Sequence, residues 1–364
     1  MTQSQPKKAA LGPAALGAIA LAVAAVLPLI PVGVKGIMPG PFSTAGTLQL
    51  LAVCLVFGAL ALTYDLVFGR AGLLSFGHAL FFATGVYACN IAIVHAGLPF
   101  VPAVLVTLVV GAAVAALVGA LSLRVKGIAF AMVTLAFAQA ASVLVLLNPG
   151  HYTGGEEGLG LDATAIPRAF VGVVNTRNLY WLALALLVLV YAIVRWTARS
   201  EPGRAAEALR ENEQRATVLG IASFPVRLLL FTVAGTLATL CGIVYLLAIG
   251  SSTHQVTDSH FSLTVLVMVV LGGLGSRWGV VVGGVLYHFL DDRLSALATT
   301  AFVQDLPAVL RAPLSQPLFL LGVIFIVVVL FLPGGIAGAF GHRTHQAAAI
   351  EGLLGRFRRA PKPG

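Results

Sequence analysis

The chain has 364 residues, of which 59% are hydrophobic and only 10% are charged. Soluble domains carry charge on about a quarter of their residues, so the composition excludes an ordinary soluble protein and predicts an all-α, polytopic bundle of membrane-spanning helices. The formal net charge of +9 is spread over short loops and the C-terminal tail, a pattern typical of membrane topology and not of nucleic-acid binding.

Apolar runs long enough to cross a bilayer recur along the chain. About 20 apolar residues make one crossing, and by that measure the sequence predicts ten transmembrane segments. They are approximately 9–31, 48–68, 72–95, 99–123, 127–147, 179–196, 227–250, 261–276, 278–292 and 316–333. The two segments between 261 and 292 are short and rich in glycine, so two crossings and one re-entrant hairpin both remain open.

Basic residues fall unevenly on the two sides of these predicted segments. Seventeen of the 22 lysines and arginines lie on the side of the N-terminus, and five lie on the other side. Because cytoplasmic loops carry the excess of positive charge, this distribution predicts that both termini lie in the cytoplasm. The predicted organisation is a transmembrane domain over 1–342 and a basic cytoplasmic tail over 343–364.

A long loop over 148–178 faces outward in this topology. It is rich in turn-forming residues and carries three acidic residues, Glu156, Glu157 and Asp162. A long loop without regular structure is often functional. Two interpretations remain open, a flexible tether and a surface on which an extracytoplasmic partner lands.

A second hydrophilic loop, 198–226, lies in the cytoplasm and contains one predicted amphipathic helix. Good helix formers follow Pro202, and Gly220 ends the helix. Glu211 and Arg215 are four residues apart, which predicts an ion pair along that helix. The open alternatives are a solvated loop and an element that docks on a soluble partner.

Polar residues within the predicted spans are few. Because a polar side chain is costly in hydrocarbon, each is expected to face the bundle interior or a wet cavity. Glycine-rich stretches allow close helix packing and broken helices that line a path. The candidates for the translocation path or for helix packing are Gly72, Ser75, Gly77, His78, Asn90, Gln139, Gly272, Gly273 and Gly275.

Motifs of nucleotide-binding and catalytic proteins are missing from the sequence. There is no GxxxxGK[ST] phosphate loop, no HExxH and no GxSxG, and the three cysteines lack metal-ligand spacing. We therefore expect no cofactor, metal site or catalytic residue in this chain.

Five stretches resemble one family, the branched-chain amino-acid (LIV-type) ABC transporter permeases, with closest likeness to the M-type subunit. They are residues 62–88, 124–137, 153–159, 203–213 and 269–279. The first contains Ser-Phe-Gly-His at 75–78, the second opens with Arg-Val-Lys-Gly, and the last opens with Val-Val-Leu-Gly-Gly-Leu-Gly. The resemblance implies an importer of the bacterial inner membrane. Its other members would be a homologous second permease, two cytoplasmic ABC ATPases that bind ATP-Mg, and an extracytoplasmic substrate-binding protein.

The resemblance also assigns roles to the two hydrophilic loops. The loop 198–226 is similar to the region that couples import permeases to their ATPases, with Arg204 and Arg210 as docking charges and Leu209 as an apolar anchor. The implied coupling residues are Gly203, Arg204, Glu207, Leu209, Arg210, Glu211 and Gly220. The implied docking residues for the binding protein are Thr153, Gly154, Gly155, Glu156 and Glu157.

Other functions compete with this interpretation. Permeases for urea or short amides look much alike, so the substrate stays open, as does pairing with an identical or a different permease. An ion-coupled secondary transporter would need coordinating or titratable residues near the midplane, where the chain offers little beyond Asn90, Gln139 and His288. A membrane enzyme would need a catalytic set that the sequence lacks.

Overall fold

The structure is a computed structural model that describes residues 21–30, 40–172, 175–298, 300, 314–332 and 334–339. The predicted tail 343–364 and much of the predicted segment 9–31 lie outside the described residues. The helices within the described ranges are α1 (Ala45–Asp65), α2 (His78–Val94), α3 (Phe100–Ser122), α4 (Ile128–Leu147), α5 (Thr176–Arg199), α6 (Glu201–Glu211), α7 (Glu213–Val218), α8 (Ser223–Ile249), α9 (Ser259–Gly272), α10 (Arg277–Ala298) and α11 (Pro317–Phe331).

The predicted helical membrane bundle is confirmed. Among the described residues, six helical segments are long and apolar enough to cross a membrane, and α2 and α9 are shorter apolar helices. The six segments are Ala45–Arg70, Phe100–Ser122, Ile128–Leu147, Thr176–Arg199, Ser223–Ile249 and Pro317–Ala339. The remaining regular structure is short: strands β1 (Leu159–Gly160) and β2 (Ser251–Ser252), and 3₁₀ turns at Leu27–Leu29, Pro149–His151, Arg168–Phe170 and His254–Thr257.

Helix α1 lies at the centre of the bundle. It is apolar on all sides, with a mean hydropathy of 2.2, and 89% of its most apolar window is buried inside the chain. It packs against α5, α8, α9 and α10. A helix that is apolar all round is expected either in lipid or inside a bundle, and here the other helices cover it.

Helices α2 and α8 cross at very short distance. A Cβ built on Gly242 would lie 3.1 Å from the Cα of Gly85 and would overlap the carbonyl oxygen of Phe82. Thr239 Oγ1 donates to Phe81 O at 3.1 Å at the same crossing. Glycine is therefore required on both helices, because no side chain fits between the two backbones.

The prediction that a span begins at residue 72 is wrong, because α2 begins only at His78. Helix α1 continues as a π-helical turn, Leu66–Arg70, which we call the π turn. The chain then runs through an irregular segment in which Gly72 has a φ of +69°. Phe76 N donates to Thr134 Oγ1 of α4 at 3.1 Å, so side chains satisfy the backbone where the helix is interrupted.

Helices α9 and α10 form a hairpin whose turn, 273–276, contains glycines with φ of +101° at Gly273 and +78° at Gly275. The 14 residues of α9 span about 21 Å, whereas the 22 residues of α10 span about 33 Å. The hydrocarbon core is about 30 Å thick. Of the two helices in the region 261–292, α10 is therefore long enough to cross the hydrocarbon core, whereas α9 is too short to cross it.

The loops meet in two groups at opposite ends of the bundle. One end gathers the π turn, the α3–α4 connection, the α6–α7 region and the α9–α10 turn, and we call it the basic end because it carries Arg70, Lys126, Arg210 and Arg277. The other end gathers residues 148–172 and the α8–α9 connection, where β1 and β2 pair antiparallel.

Candidate functional site

The predicted coupling region contains two helices, not the single helix expected from the sequence. We call residues 200–222, which include α6 and α7, the arm. Asn212 is extended, with a φ of −157°, and its Oδ1 accepts a hydrogen bond from Arg215 N at 2.9 Å. Asparagine is a strong N-cap, so it starts a new helix at this point. Glu211 and Arg215 consequently lie on different helices, and the ion pair predicted along one helix is wrong.

The first helix of the arm folds back against the end of α5. Ser200 Oγ caps α6 by accepting from Gly203 N at 3.4 Å. A Cβ on Gly203 would lie 2.9 Å from the Cα of Ala198, so only glycine allows this sharp return. Leu209 is 2% exposed and packs inside the chain. The expectation that Leu209 anchors an ATPase is therefore wrong, because its side chain already fills the bundle.

Two of the predicted coupling charges hold the arm to the π turn. Glu207 accepts from Arg70 Nη1 at 3.3 Å, and Arg210 Nη1 donates to the carbonyl oxygen of Gly69. Arg210 is thus engaged within its own chain, contrary to its expected role as an unoccupied docking charge. Arg204 and Glu211 are also exposed on α6, and Arg204 Nη1 donates to Arg199 O.

The second helix of the arm is fixed by one carboxylate, that of Glu213. Lys126 Nζ donates to its Oε1 at 2.8 Å, Arg227 Nη1 donates to its Oε2 at 3.2 Å, and Ser223 Oγ donates to Oε1 at 3.2 Å. The hydrogen bond from Lys126, with the charge of Arg227, holds the pKa of Glu213 below its ordinary value despite partial burial. This carboxylate joins the arm to the α3–α4 connection and to the start of α8.

Glu213→Gln is expected to lower the stability of the folded chain near neutral pH, by less than about 1 kcal/mol because the ion pairs are partly exposed. A carboxylate whose pKa is depressed by folding stabilises the fold above its unfolded pKa of about 4.3, and this contribution is lost as pH falls through the folded pKa. Thermal unfolding in detergent should therefore separate variant and parent at pH 7, and the difference should vanish in acid.

Glu211→Gln is the matched control, since Glu211 is an exposed carboxylate at the end of the neighbouring helix. It should unfold like the parent at both pH values. A Glu213→Gln difference that persists unchanged in acid would contradict the assigned charge interaction.

The end of the arm and the start of α8 expose a group of apolar side chains that sequence analysis missed. Val218 is 87% exposed, Leu219 is 82% exposed and Phe224 is 45% exposed. Gly220, with a φ of +90°, turns the chain between them. The signal in the sequence was a pair of apolar residues directly before the glycine that ends the helix. We call Val218, Leu219 and Phe224 the apolar tip.

At the opposite end, residues 148–160 of the predicted outer loop contain a hydrogen-bonded turn and strand β1, and they are not the bare tether that the sequence left open. Asn148 Oδ1 accepts from Thr153 N at 2.9 Å and from Gly154 N at 3.2 Å. Thr153 and Gly155 are buried within this turn, whereas Glu156 and Glu157 are exposed. Among the predicted docking residues, Glu156 and Glu157 have exposed side chains.

Asn90 of α2 ties the same loop to the helices. Its Nδ2 donates to Leu159 O at 2.7 Å and to Ser252 Oγ at 2.8 Å. Leu159 and Ser252 are partners in the β1–β2 pair. Asn90 is fully buried, and in this structure it positions the outer strands.

The remaining polar candidates divide between the interior and the surface. His78 Nε2 lies 2.8 Å from Thr63 Oγ1, and both residues are buried. Ser75 Oγ accepts from Gly77 N at 3.2 Å. Gln139, however, lies exposed on α4, so the expectation that it faces the interior of this chain is wrong. The sequence could not distinguish the two faces because α4 is apolar on both.

Several predicted glycines lie at close backbone contacts. A Cβ on Gly77 would lie 2.9 Å from Thr134 O, a Cβ on Gly272 would lie 2.6 Å from the Cα of Val280, and a Cβ on Gly72 would lie 2.9 Å from Arg210 Cγ. Gly273 packs against Ala337, and Gly275 donates its N–H to Asp65. Across the described residues, no group of three or more His, Cys, Asp or Glu side chains is placed to hold a metal ion.

Comparison with known proteins identifies the family of the chain. The family model described as "Branched-chain amino acid transport system / permease component" matches residues 46–340. The chain is 31% identical over 269 residues to the high-affinity branched-chain amino acid transport system permease protein LivM of Salmonella typhimurium, covering 68% of this chain and 63% of that protein. LivM of Escherichia coli is 30% identical over the same coverage.

A second type of relative differs in what its name says it carries. The autoinducer 2 import system permease protein LsrC of Yersinia pseudotuberculosis is 26% identical over 295 residues, which is 80% of this chain and 75% of that protein. The match to LivM spans only 63% of the LivM length. No solved structure matches the chain.

Proposed function

The chain belongs to the family of branched-chain amino acid transport system permease components, and from this premise we propose that it is the membrane-spanning subunit of an ATP-driven importer. The cargo would be branched-chain or related amino acids, moved inward from an extracytoplasmic binding protein. The observation that carries the proposal is the arm, which is fastened to the central helix at its base and exposes an apolar tip.

The arm is the proposed contact with the ATPases. Buried Leu209 and the bonded Arg210 and Glu207 fix α6 rigidly on the bundle. The apolar tip, with exposed Arg204 and Glu211 nearby along the arm, is left to bind a soluble protein. A rigid element that is fixed to the bundle on one side and docked to a partner on the other transmits movement, provided its contacts differ between two states of the bundle.

The outward face of α4 is the proposed contact with a second permease. Gln139 is exposed on this face together with Ala129, Ala136 and Ala140. Small residues favour close helix association in membranes. A homologous permease packed against α4 would cover this face.

The outer loop is the proposed landing surface for the binding protein. Exposed Glu156 and Glu157 project from a turn that Asn148 holds in place. The β1–β2 pair joins this turn to the end of α8. In this arrangement the basic end faces the cytoplasm, in agreement with the distribution of lysine and arginine, and both termini are proposed to be cytoplasmic.

ATP-Mg would be bound by the partner ATPases and not by this chain. The substrate is the least constrained part of the proposal. LivM is named for branched-chain amino acids and LsrC for autoinducer 2, and the higher identity to LivM favours an amino acid. Urea or short amides remain the alternative cargo.

Reconstitution in liposomes tests the proposed function. The chain is combined with the permease, the ATPases and the binding protein encoded beside its gene, and ATP hydrolysis and uptake are measured with leucine, isoleucine, valine, urea and autoinducer 2 in parallel. Stimulation by leucine and its relatives is the expected result. Stimulation by urea or autoinducer 2 alone would overturn the substrate, and uptake without ATPases would overturn the mechanism.

A further inference from the structure

A buried carboxylate joins three elements at the basic end of the bundle. Asp65, the last residue of α1, is completely buried, and its Oδ1 accepts a hydrogen bond from Gly275 N at 2.8 Å. Gly275 lies in the α9–α10 turn, 210 positions later in the chain. The central helix is thus attached to the hairpin by one side chain.

The second oxygen of this carboxylate has no hydrogen-bond donor within the described part of the chain. A buried acceptor without a donor destabilises the fold, and more so when it is charged. Burial disfavours the charged form of this carboxylate, and three arginines oppose that effect: Arg70 from the π turn, Arg210 from the arm and Arg277 from the start of α10. A donor that turned onto the free oxygen would remove the cost.

Arg210 is the arginine best placed to make such an exchange. Its guanidinium is bonded to the carbonyl oxygen of Gly69, and Gly69 lies directly against the Asp65 carboxylate, since any Cβ on Gly69 would overlap Asp65 Oδ1. The present acceptor of Arg210 thus belongs to the residue that lies against the Asp65 side chain.

The backbone of the π turn is wider than that of the α-helix before it. Ala71 N donates to Leu66 O at 3.3 Å and Leu73 N donates to Val67 O at 3.0 Å, so the turn contains more residues than an α-helical turn. Such turns are uncommon and occur often at functional sites. If the π turn became α-helical, with one residue fewer in the turn, Gly69 and Arg70 would rotate relative to Asp65.

We propose that Asp65 is a positioning residue that couples the arm to the α9–α10 hairpin. In the proposed cycle, which rests on the function proposed above, movement of the arm transfers the Arg210 guanidinium from Gly69 O to the free oxygen of Asp65. The carboxylate then shares its charge between Arg210 and Gly275 N, and the hairpin turn is loosened. Asp65 acts through these groups and does not touch the cargo.

The test uses the reconstituted complex and measures substrate molecules transported for each ATP hydrolysed. Asp65→Asn keeps an oxygen for Gly275 N but loses the charge that attracts Arg210, and Arg210→Gln keeps a donor for Gly69 O and loses the guanidinium. Each variant is expected to assemble with the ATPases and to lower the transport-to-hydrolysis ratio about tenfold. The double variant should be no worse than either single one, because both remove one interaction.

Arg195→Gln is the matched control, an exposed arginine on α5 expected to leave the ratio unchanged. A lower yield with an unchanged ratio in Asp65→Asn and Arg210→Gln would show a merely structural role and overturn the proposal. Multiplied losses in the double variant would also overturn it. A parent complex that transports nothing on ATP addition would instead overturn the proposed function itself, so the two failures are distinguished.

Discussion

Replacing Val218 and Leu219 together by serine is expected to weaken binding of the ATPase subunits about 100-fold. The two side chains are 87% and 82% exposed, so their removal leaves no cavity in the bundle. Burial of a valine or leucine side chain in an interface contributes about 1.5–3 kcal/mol, and two such losses correspond to about 3 kcal/mol or more. Co-purification and titration of the ATPase onto the detergent-solubilised permease measure the effect.

Leu147→Ser is the control for this variant. Leu147 is 73% exposed at the end of α4 that lies opposite the arm, so the same kind of change should leave ATPase binding intact. Binding that is equal in the Val218/Leu219 variant, the control and the parent would mean that the apolar tip contacts lipid headgroups and not the ATPase.

Gly242→Leu is expected to abolish correct assembly of the helix bundle. The added side chain would have to enter the crossing of α2 and α8, where even a Cβ meets the backbone at Phe82 and Gly85. Overpacking a core costs about 1–3 kcal/mol and more where backbone cannot yield. The expected result is a severe loss of monodisperse protein after solubilisation and, in the remaining material, a clearly lower melting temperature.

Gly322→Leu provides the comparison for that substitution. Gly322 lies in α11, another apolar helix, and a Cβ there would have nothing within 4 Å. The control should give the parental yield and melting temperature. If Gly242→Leu behaved in the same way, the close crossing of α2 and α8 would be incorrect.

Much of the bundle could be predicted because hydropathy alone identifies helices that must satisfy their backbone in lipid. The predicted segments 99–123 and 127–147 agree with α3 and α4 within a few residues. The two short, glycine-rich segments predicted between 261 and 292 correspond to α9 and α10. What hydropathy cannot give is the face of each helix that is covered, which is why Gln139 was placed inside and lies outside.

The arm was predicted less well because local propensity and tertiary contacts disagree there. Helix formers run through Asn212, and only its capping of Arg215 N ends one helix and starts another. Leu209 reads as a lone apolar residue in a charged segment, and the bundle that buries it is formed by residues distant in sequence. The pairing of Asp65 with Gly275 is likewise a long-range contact that a single sequence does not indicate.

Helix α1 leaves the ribosome long before the helices that enclose it. Chains are made from the N-terminus, and α1 gains its neighbours α5, α8 and α10 only when much later residues have been inserted. Until then it is apolar enough to stay in lipid, and Asp65 at its end lacks the hydrogen bond from Gly275 N. A chain interrupted before residue 277 would keep one side of α1 uncovered in the bilayer, so truncated products should be recognised by membrane proteases while the full chain is resistant.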